Sequence, residues 1–216
     1  NQLGIILYPN EIDLQSFLSK NLDPGDTAFD IGSYIGYTSI LTSKIVRENG
    51  HVYSFEPINE NLLNLERNIR LNKCKNISII NKALSNKNGE SEFIIQDKGE
   101  NLGMSSMVWG KTKDNTKKQL VKTIRVDDDS KLRYLSPKTI KIDAEGAEGL
   151  VIEGMQNLIS RCRPYIYIEC TNIGREITWS IMKSLNYSCF QAKYDKDEIL
   201  DFTSYRSNEF LWMPNQ

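Results

Sequence analysis

The sequence predicts an α/β fold on a doubly wound, mostly parallel sheet, and three observations carry that prediction. Short apolar runs alternate with amphipathic segments as βαβαβ over residues 27–80, the pattern of parallel strands joined by crossover helices. The first run ends in a carboxylate and a glycine turn, Asp30-Ile31-Gly32-Ser33-Tyr34-Ile35-Gly36, that leads directly into a helix-like segment. The alternation resumes at residue 139, followed by the most clearly periodic helix of the chain.

Taken in order, residues 11–22 are loosely helical, with Ile12, Leu14, Phe17, Leu18 and Leu22 as the apolar positions after the turn signal Tyr8-Pro9-Asn10. Pro24-Gly25-Asp26 punctuates, and 27–30 reads as a buried strand. From Gly36, Ile40, Leu41 and Ile45 recur at near-helical spacing until Asn49-Gly50 closes the helix. Strand 51–55 follows, then a helix capped by Asn59 with Leu62, Leu65 and Ile69 on one face, then strand 77–80. The regularity breaks over roughly 90–126, where 92–95, 104–109 and 121–126 look like short strands of a β-excursion. Its lysines (Lys111, Lys113, Lys117, Lys118 and Lys122, with Arg125) read as a solvated face or as a basic lip for an anionic substrate. Strand 139–142 restores the pattern. Ala147, Leu150, Val151, Met155, Leu158 and Ile159 then form one helical stripe, and strand 165–168 ends at Glu169. A helix near 176–185 and two late strands, 188–191 and 210–213, complete what reads as one domain over 1–216.

Composition narrows the function classes. With 27 basic and 28 acidic residues the formal charge is −1, so no global field draws nucleic acid or a membrane surface. Cys74, Cys162, Cys170 and Cys189 lie far apart without a CxxC pair, which argues against zinc or a disulfide framework and for a reducing compartment, the cytoplasm. No apolar run of about 18 residues is present to span a bilayer. No signal peptide is visible.

Ligands of open α/β sheets bind beyond the carboxyl ends of the strands, which nominates Asp30, Glu56, Asn81, Asp143 and Glu169. A dinucleotide turn wants G-x-G-x-x-G, but this one reads D-x-G-x-x-x-G, with Asp30 placed to repel a phosphate. Gly32 and Gly36 are expected to let the backbone approach a ligand and start the helix. A phosphate-free cofactor with a cationic end fits such a turn. S-adenosylmethionine has an ammonium, a sulfonium and a ribose diol, and carboxylates can hold the first and third. Glu56 is placed to take both ribose hydroxyls, although nicotinamide sites share that feature. After the third strand, Asn81 reads either as an adenine-edge contact or as an ordinary turn residue, while Ala83 leaves room for the ring. Tyr34 and Tyr37 either wall the pocket or simply pack, and Trp109, Trp179 and Trp212 read as packing.

Strand alternation puts Lys141 and Asp143 on one face, and a lysine in a doubly covered strand needs a neutralising acid. Asp143 and Glu145 flank the place where donor meets acceptor, while Glu148 reads as a structural first-turn acid. An alcohol acceptor must lose a proton. The single histidine, His51, starts its strand about 17 Å from Glu56 at the strand rise, so the base falls to Asp143, Glu145 or Lys141. A divalent metal held by Asp143 and Glu169 is the other route, but without a third ligand no metal site is predicted.

Four motifs resemble those of the FkbM-type methyltransferases: Phe29-Asp30-Ile31-Gly32-Ser33-Tyr34-Ile35-Gly36, Phe55-Glu56-Pro57, Ala83-Leu84-Ser85, and Ile140-Lys141-Ile142-Asp143-Ala144-Glu145-Gly146-Ala147-Glu148 with Gly154-Met155. The resemblance spans residues 25–170. It implies a Rossmann-like class I methyltransferase fold, a seven-stranded sheet whose last strand is antiparallel. It also implies S-adenosylmethionine as cofactor, with Ser33, Tyr34 and Pro57 joining the binding set, and O-methylation of a sugar or polyketide hydroxyl. Gly103-Met104-Ser105-Ser106 resembles a Gly/Ser element of that family, which brings the excursion near the site. Family members often carry asparagine where this chain has Tyr34. Residues 1–22, a helical cap, and the region after Glu169 lie outside the resemblance and are expected to choose the substrate.

The resulting expectation is an S-adenosylmethionine-dependent methyltransferase acting on a hydroxylated small molecule or glycan. The alternatives are a cofactor-binding subunit without catalysis, or a nucleic-acid or protein methyltransferase. The last lacks an Asn/Asp-Pro-Pro-aromatic stretch and is supported only by the 111–125 lysines.

Overall fold

The computed structural model describes residues 11–96, 105–107, 116–170, 172–192, 198–201, 203 and 207–215. Helix α1 (Ile12–Asn21) precedes strand β1 (Thr27–Ile31), whose last four residues are buried. Helix α2 (Tyr37–Val46) crosses to β2 (His51–Phe55), and α3 (Asn59–Leu71) crosses to β3 (Ile77–Ile80). A smaller sheet then forms from β4 (Ala83–Leu84), β5 (Gly89–Gln96), β6 (Ser105–Met107) and β7 (Thr116–Ile124). The main sheet continues with β8 (Thr139–Asp143), followed by α4 (Glu148–Glu153), α5 (Gln156–Cys162) and β9 (Tyr165–Glu169). Helix α6 (Asn172–Ser184), β10 (Tyr187–Gln191) and β11 (Glu209–Pro214) close the order.

The seven main strands lie in the order β10-β11-β9-β8-β1-β2-β3. Strand β11 enters antiparallel between β9 and β10, while the pairs from β9 through β3 are parallel. The expected class I topology, with the last strand antiparallel, is therefore what forms. Strand order reverses between β1 and β8, and this switch point is where an open sheet leaves a crevice at its carboxyl edge.

Side-chain alternation sorts the sheet into two cores. Phe29, Ile31, Phe55, Ile140, Ile142, Ile166 and Ile168 pack against Val151, Ile152, Met155, Leu158 and Ile159. On the other face Ala28, Val52, Tyr167 and Leu211 meet Leu14, Phe17 and Leu18 of α1 and Val46 of α2. Trp179 and Trp212 pack edge to face at 5.2 Å, as expected of packing aromatics. Trp109 lies outside the described residues.

Several expectations need correction. The stripe from Ala147 to Ile159 is two helices, not one. Gly154 brings the backbone so close to the Ser85 carbonyl that a Cβ would overlap it. The helix breaks there and restarts under a remote cap: the buried Asp127 carboxylate accepts the N–H groups of Asn157 and Leu158 at 3.0 and 3.1 Å. The excursion is a four-stranded sheet rather than isolated short strands. Strand β7 begins upstream of the expected 121 because an eight-residue antiparallel ladder to β5 sustains it despite its polar sequence. The expected strand 104–109 is described only at β6, and Gly103, Met104, Lys111 and Lys113 lie outside the described residues.

Within the described part of the basic stretch, Lys118, Lys122 and Arg125 stand against acids. Lys118 bonds Glu92 at 2.7 Å, Arg125 bonds Asp128 at 2.7 Å, and Lys122 stands opposite Glu90 in register. Cys74, Cys162, Cys170 and Cys189 are free thiols. Among the described residues no helix is long and apolar enough to cross a membrane.

Gly32, at φ 74°, lies so close to β8 that a Cβ would overlap the Asp143 carbonyl oxygen. Gly25 also has positive φ, but open space surrounds its missing Cβ. Gly25→Ala is therefore expected to cost about 1–2 kcal/mol from backbone strain alone. Gly32→Ala adds an overpacking cost of about 1–3 kcal/mol. Urea denaturation of the two variants measures the difference, and equal losses would overturn the close-approach account.

Candidate active site

The turn after β1 folds back onto the end of β2. The N–H groups of Gly32 and Ser33 donate to the Phe55 carbonyl at 3.0 and 3.1 Å, and the Tyr34 N–H donates to Glu56 Oε2 at 2.9 Å. Three consecutive amides that a phosphate-binding turn leaves open are thus engaged within the fold. The Ser33 hydroxyl donates to the Asp30 carbonyl at 2.8 Å, inside the turn. Tyr34 sits at φ 49°, a left-handed conformation asparagine adopts more readily, which fits the asparagine the resembled family often carries there. Gly36 starts α2 at φ 91°, and a Cβ there would overlap Leu65 of α3, so its small size serves both the helix start and helix packing. Tyr37 accepts a bond from Gln15 of α1 at 2.7 Å, which ties that helix to α2.

Beside the turn opens a cleft of about 620 Å³, open solvent at its mouth included. Its polar wall carries Glu56, Asn61, Lys82, Asp143 and Glu145, and its apolar wall includes Ile58, Ala83 and Phe93. Glu56 is only 4% exposed; burial pushes its carboxyl up, against the pull of the Ile58, Asn61 and Tyr34 donors. Ile58 N–H meets Oε1 at 2.9 Å and the Asn61 amide meets the same oxygen at 3.1 Å.

Register places Lys141 of β8 beside Asp30 of β1. The ammonium donates to the Gly32 carbonyl at 3.0 Å and to Asp143 Oδ2 at 3.3 Å, with Asp30 Oδ1 3.8 Å away. Burial alone would lower the lysine's pKa, but Asp143, Asp30 and Glu11 outweigh it and hold it above the ordinary range. Asp30, also bonded by the Ser39 hydroxyl, is pushed up by burial against the pull of that same lysine. Three carboxylates around one cation make the charged lysine the firmer of the two states. Lys141 is therefore held as a buried cation between the first turn, Asp30 and Asp143. Asp30 is 2% exposed and stays behind the cleft, which Asp143 lines.

Glu145 stands at φ 49° in the turn between β8 and α4, followed by Gly146 at φ 102°. Glu148, wholly buried, holds that turn: its Oε1 accepts the N–H of Gly146 at 2.7 Å and of Ala144 at 3.3 Å. Burial, then repulsion from Asp143, Glu169 and Glu148, pushes Glu145 up to about 7. Glu169, level with Asp143 in the register, is pushed up to about 7 by burial and by Asp143 and Glu209. It is the more exposed of the two, so solvent screens its elevation more strongly than that of Glu145. Among the described residues no group of three His, Cys, Asp or Glu is arranged to hold a metal ion. His51 bonds Ser78 at 2.8 Å at the opposite end of β2.

Of the residues singled out from sequence, the cleft gathers Gly32, Tyr34, Glu56, Pro57, Ala83, Asp143 and Glu145. Asp30, Ser33, Gly36 and Lys141 support it from behind, and Asn81 points outward, exposed, while its neighbour Lys82 lines the wall. Ile58, Asn61, Lys82 and Phe93 were not expected as site residues. Asn61 lies in the first turn of α3, where its spacing from Glu56 was a usable signal. Phe93 arrives through long-range pairing in the small sheet, for which local sequence holds no signal.

Lys141→Met is expected to cost about 3–5 kcal/mol by chemical denaturation, because it leaves Asp30 buried without a cation. Adding Asp30→Asn should recover most of that loss. A single variant within about 1 kcal/mol of wild type would overturn the pairing, that being the scale of an exposed ion pair.

The chain is similar to an FkbM methyltransferase from Methylobacillus flagellatus, with 17% identity and a TM-score of 0.59 over 89% of this chain. The match spans 44% of the length of that protein. It is also similar to a SAM-dependent O-methyltransferase from Thermotoga maritima, with 11% identity and a TM-score of 0.57 over 97% of this chain and 66% of that one. An rRNA methylase from Streptococcus thermophilus gives 10% identity and a TM-score of 0.55 over 93% and 92%. At these identities the likenesses speak for the fold alone. No curated protein matches the chain. The sequence model of the methyltransferase FkbM domain matches residues 30–208, from the acid of the first turn to the start of the last strand. The chain belongs to the FkbM methyltransferase family.

Proposed function

We propose that the protein methylates a hydroxyl group of a sugar, glycan or polyketide-like small molecule, with S-adenosylmethionine as donor. One observation carries this reading. The amides of Gly32, Ser33 and Tyr34 are engaged by Phe55 and Glu56, and the cleft beside them is walled by Glu56, Asp143 and Glu145. Such a cleft disfavours a pyrophosphate and suits a ligand with hydroxyls and a positive charge. Glu56 would take the ribose side, Ile58, Ala83 and Phe93 the adenine, and Asp143 the ammonium.

When bound, the cofactor supplies an electrophilic methyl group on a sulfonium. The chain's own residues then align and dry the reactants. Lys141 fixes the Asp143 carboxylate and the Gly32 carbonyl in one arrangement. Glu145, held in its turn by Glu148, accepts the proton of the acceptor hydroxyl. A carboxyl pushed up to about 7 suits that task, since near neutral pH a substantial share is ionised and that share is basic enough to take a proton.

Calorimetry with S-adenosylhomocysteine tests the cofactor. Wild type should bind, and Glu56→Ala should weaken binding by roughly ten- to a hundredfold, the scale of a hydrogen bond to a charged group. No binding by wild type would sink the reading.

Methyl transfer to a panel of hydroxylated acceptors tests the base. With Glu145 protonated below about pH 7, kcat/KM should rise through that pH and level off above it. Glu145→Gln should lose roughly 10²–10⁴-fold and show no such limb. Stability carries the opposite sign. The folded acid keeps its proton to higher pH than the unfolded one, so wild type loses stability as pH rises from the ordinary carboxylate range to about 7. Glu145→Gln should therefore melt above wild type at pH 8 by a few degrees. An unchanged pH profile in the variant would remove Glu145 from the mechanism.

A further inference from the structure

The bonding around Glu56 leaves its carboxylate unequal on its two sides. Oε1 already accepts two hydrogen bonds, from the Ile58 N–H at 2.9 Å and the Asn61 amide at 3.1 Å. Oε2 accepts one, from the Tyr34 N–H at 2.9 Å. A carboxylate offers about two lone-pair sites per oxygen. Oε1 is therefore saturated within the fold, and Oε2 retains room for one further donor. A diol that bonds both oxygens of this glutamate would have to displace one of the donors on Oε1. The Ile58 donor is backbone at the entry to α3 and does not swing away without moving the helix.

Asn61 offers the alternative. A carboxylate only accepts, so the amide nitrogen of Asn61 must face Oε1, and its carbonyl oxygen Oδ1 is the end left over. Among the described residues no donor is bonded to that oxygen. Asn61 lines the cleft together with Glu56, Pro57 and Ile58, one helical turn into α3, and is held there by its bond to Glu56. We infer that the two ribose hydroxyls are shared, one donating to Glu56 Oε2 and the other to Asn61 Oδ1. Asn61 then acts as a specificity residue for the ribose of the cofactor. The bond from Asn61 to Glu56 also orients the carboxylate, so one side chain serves the diol twice. This inference rests on the cofactor reading above and goes beyond it, because that reading assigns the ribose to Glu56 alone.

The test is a calorimetric cycle with S-adenosylhomocysteine and its 2′-deoxy and 3′-deoxy forms, on wild type, Asn61→Ala and Glu56→Ala. Thermal melting of each variant checks that it is folded. Asn61→Ala should bind S-adenosylhomocysteine about tenfold more weakly, the scale of one hydrogen bond. Removing one particular hydroxyl should abolish the difference between wild type and Asn61→Ala, and removing the other should preserve it. A purely structural role would weaken all three ligands alike, and that result would overturn the assignment. So would unchanged binding in Asn61→Ala while Glu56→Ala is impaired, which would return both hydroxyls to Glu56. Failure of wild type to bind S-adenosylhomocysteine would instead remove the cofactor reading, and the shared diol with it.

Discussion

A single buried ammonium holds the carboxyl edge of the sheet together. Lys141 reaches from β8 to the Gly32 carbonyl of the first turn, to Asp143 at the end of its own strand and to Asp30 on the neighbouring one. Each of these contacts crosses or borders the switch point. Without a cation there, Asp30 and Asp143 would repel one another from adjacent strands, and the buried Asp30 would be left without a counter-charge. The turn that lines the cleft and the strand that ends at Asp143 are thus fixed by one charge, and the Gly32 approach to the Asp143 backbone follows from the same closeness.

The acids beyond that lysine are arranged by elements rather than by one another. Glu56 is placed by the end of β2 and the entry to α3, Glu145 by a left-handed turn that Glu148 braces, and Glu169 by its register with Asp143. Burial first, and then repulsion from neighbouring carboxylates, pushes Glu145 and Glu169 up to about 7. Perturbed acids of this kind gather at functional sites more often than elsewhere, and Glu56 and Glu145 line the crevice the topology creates.

Much of this is legible in the sequence, and the limits have physical causes. Asp30, Gly32, Glu56, Asp143 and Glu145 follow from strand ends and a turn, features set within a few residues of each other. The same logic does not reveal that Asp30 is covered, because strand alternation says which face a side chain takes but not how much protein lies over it. It places Gly36 at the start of α2, but not the Leu65 side chain on a different helix that its small size also accommodates. It runs one helix through Gly154, because the stripe is continuous and the interruption comes from Ser85 and Asp127, both distant in sequence. Phe93 is the extreme case, delivered to the cleft by a ladder between two strands of unremarkable polarity.

The engaged amides of the first turn also bear on competition. Most adenine-bearing molecules in a cell carry phosphates, and they outnumber any one specialised donor. A turn with open N–H groups at a helix start would collect them. Here those donors are closed off by Phe55 and Glu56, and the surrounding wall is negative. The Gly32, Ser33 and Tyr34 amides are thus closed to a nucleotide's phosphates, and a binding site can turn away a competitor by withholding donors as well as by fit.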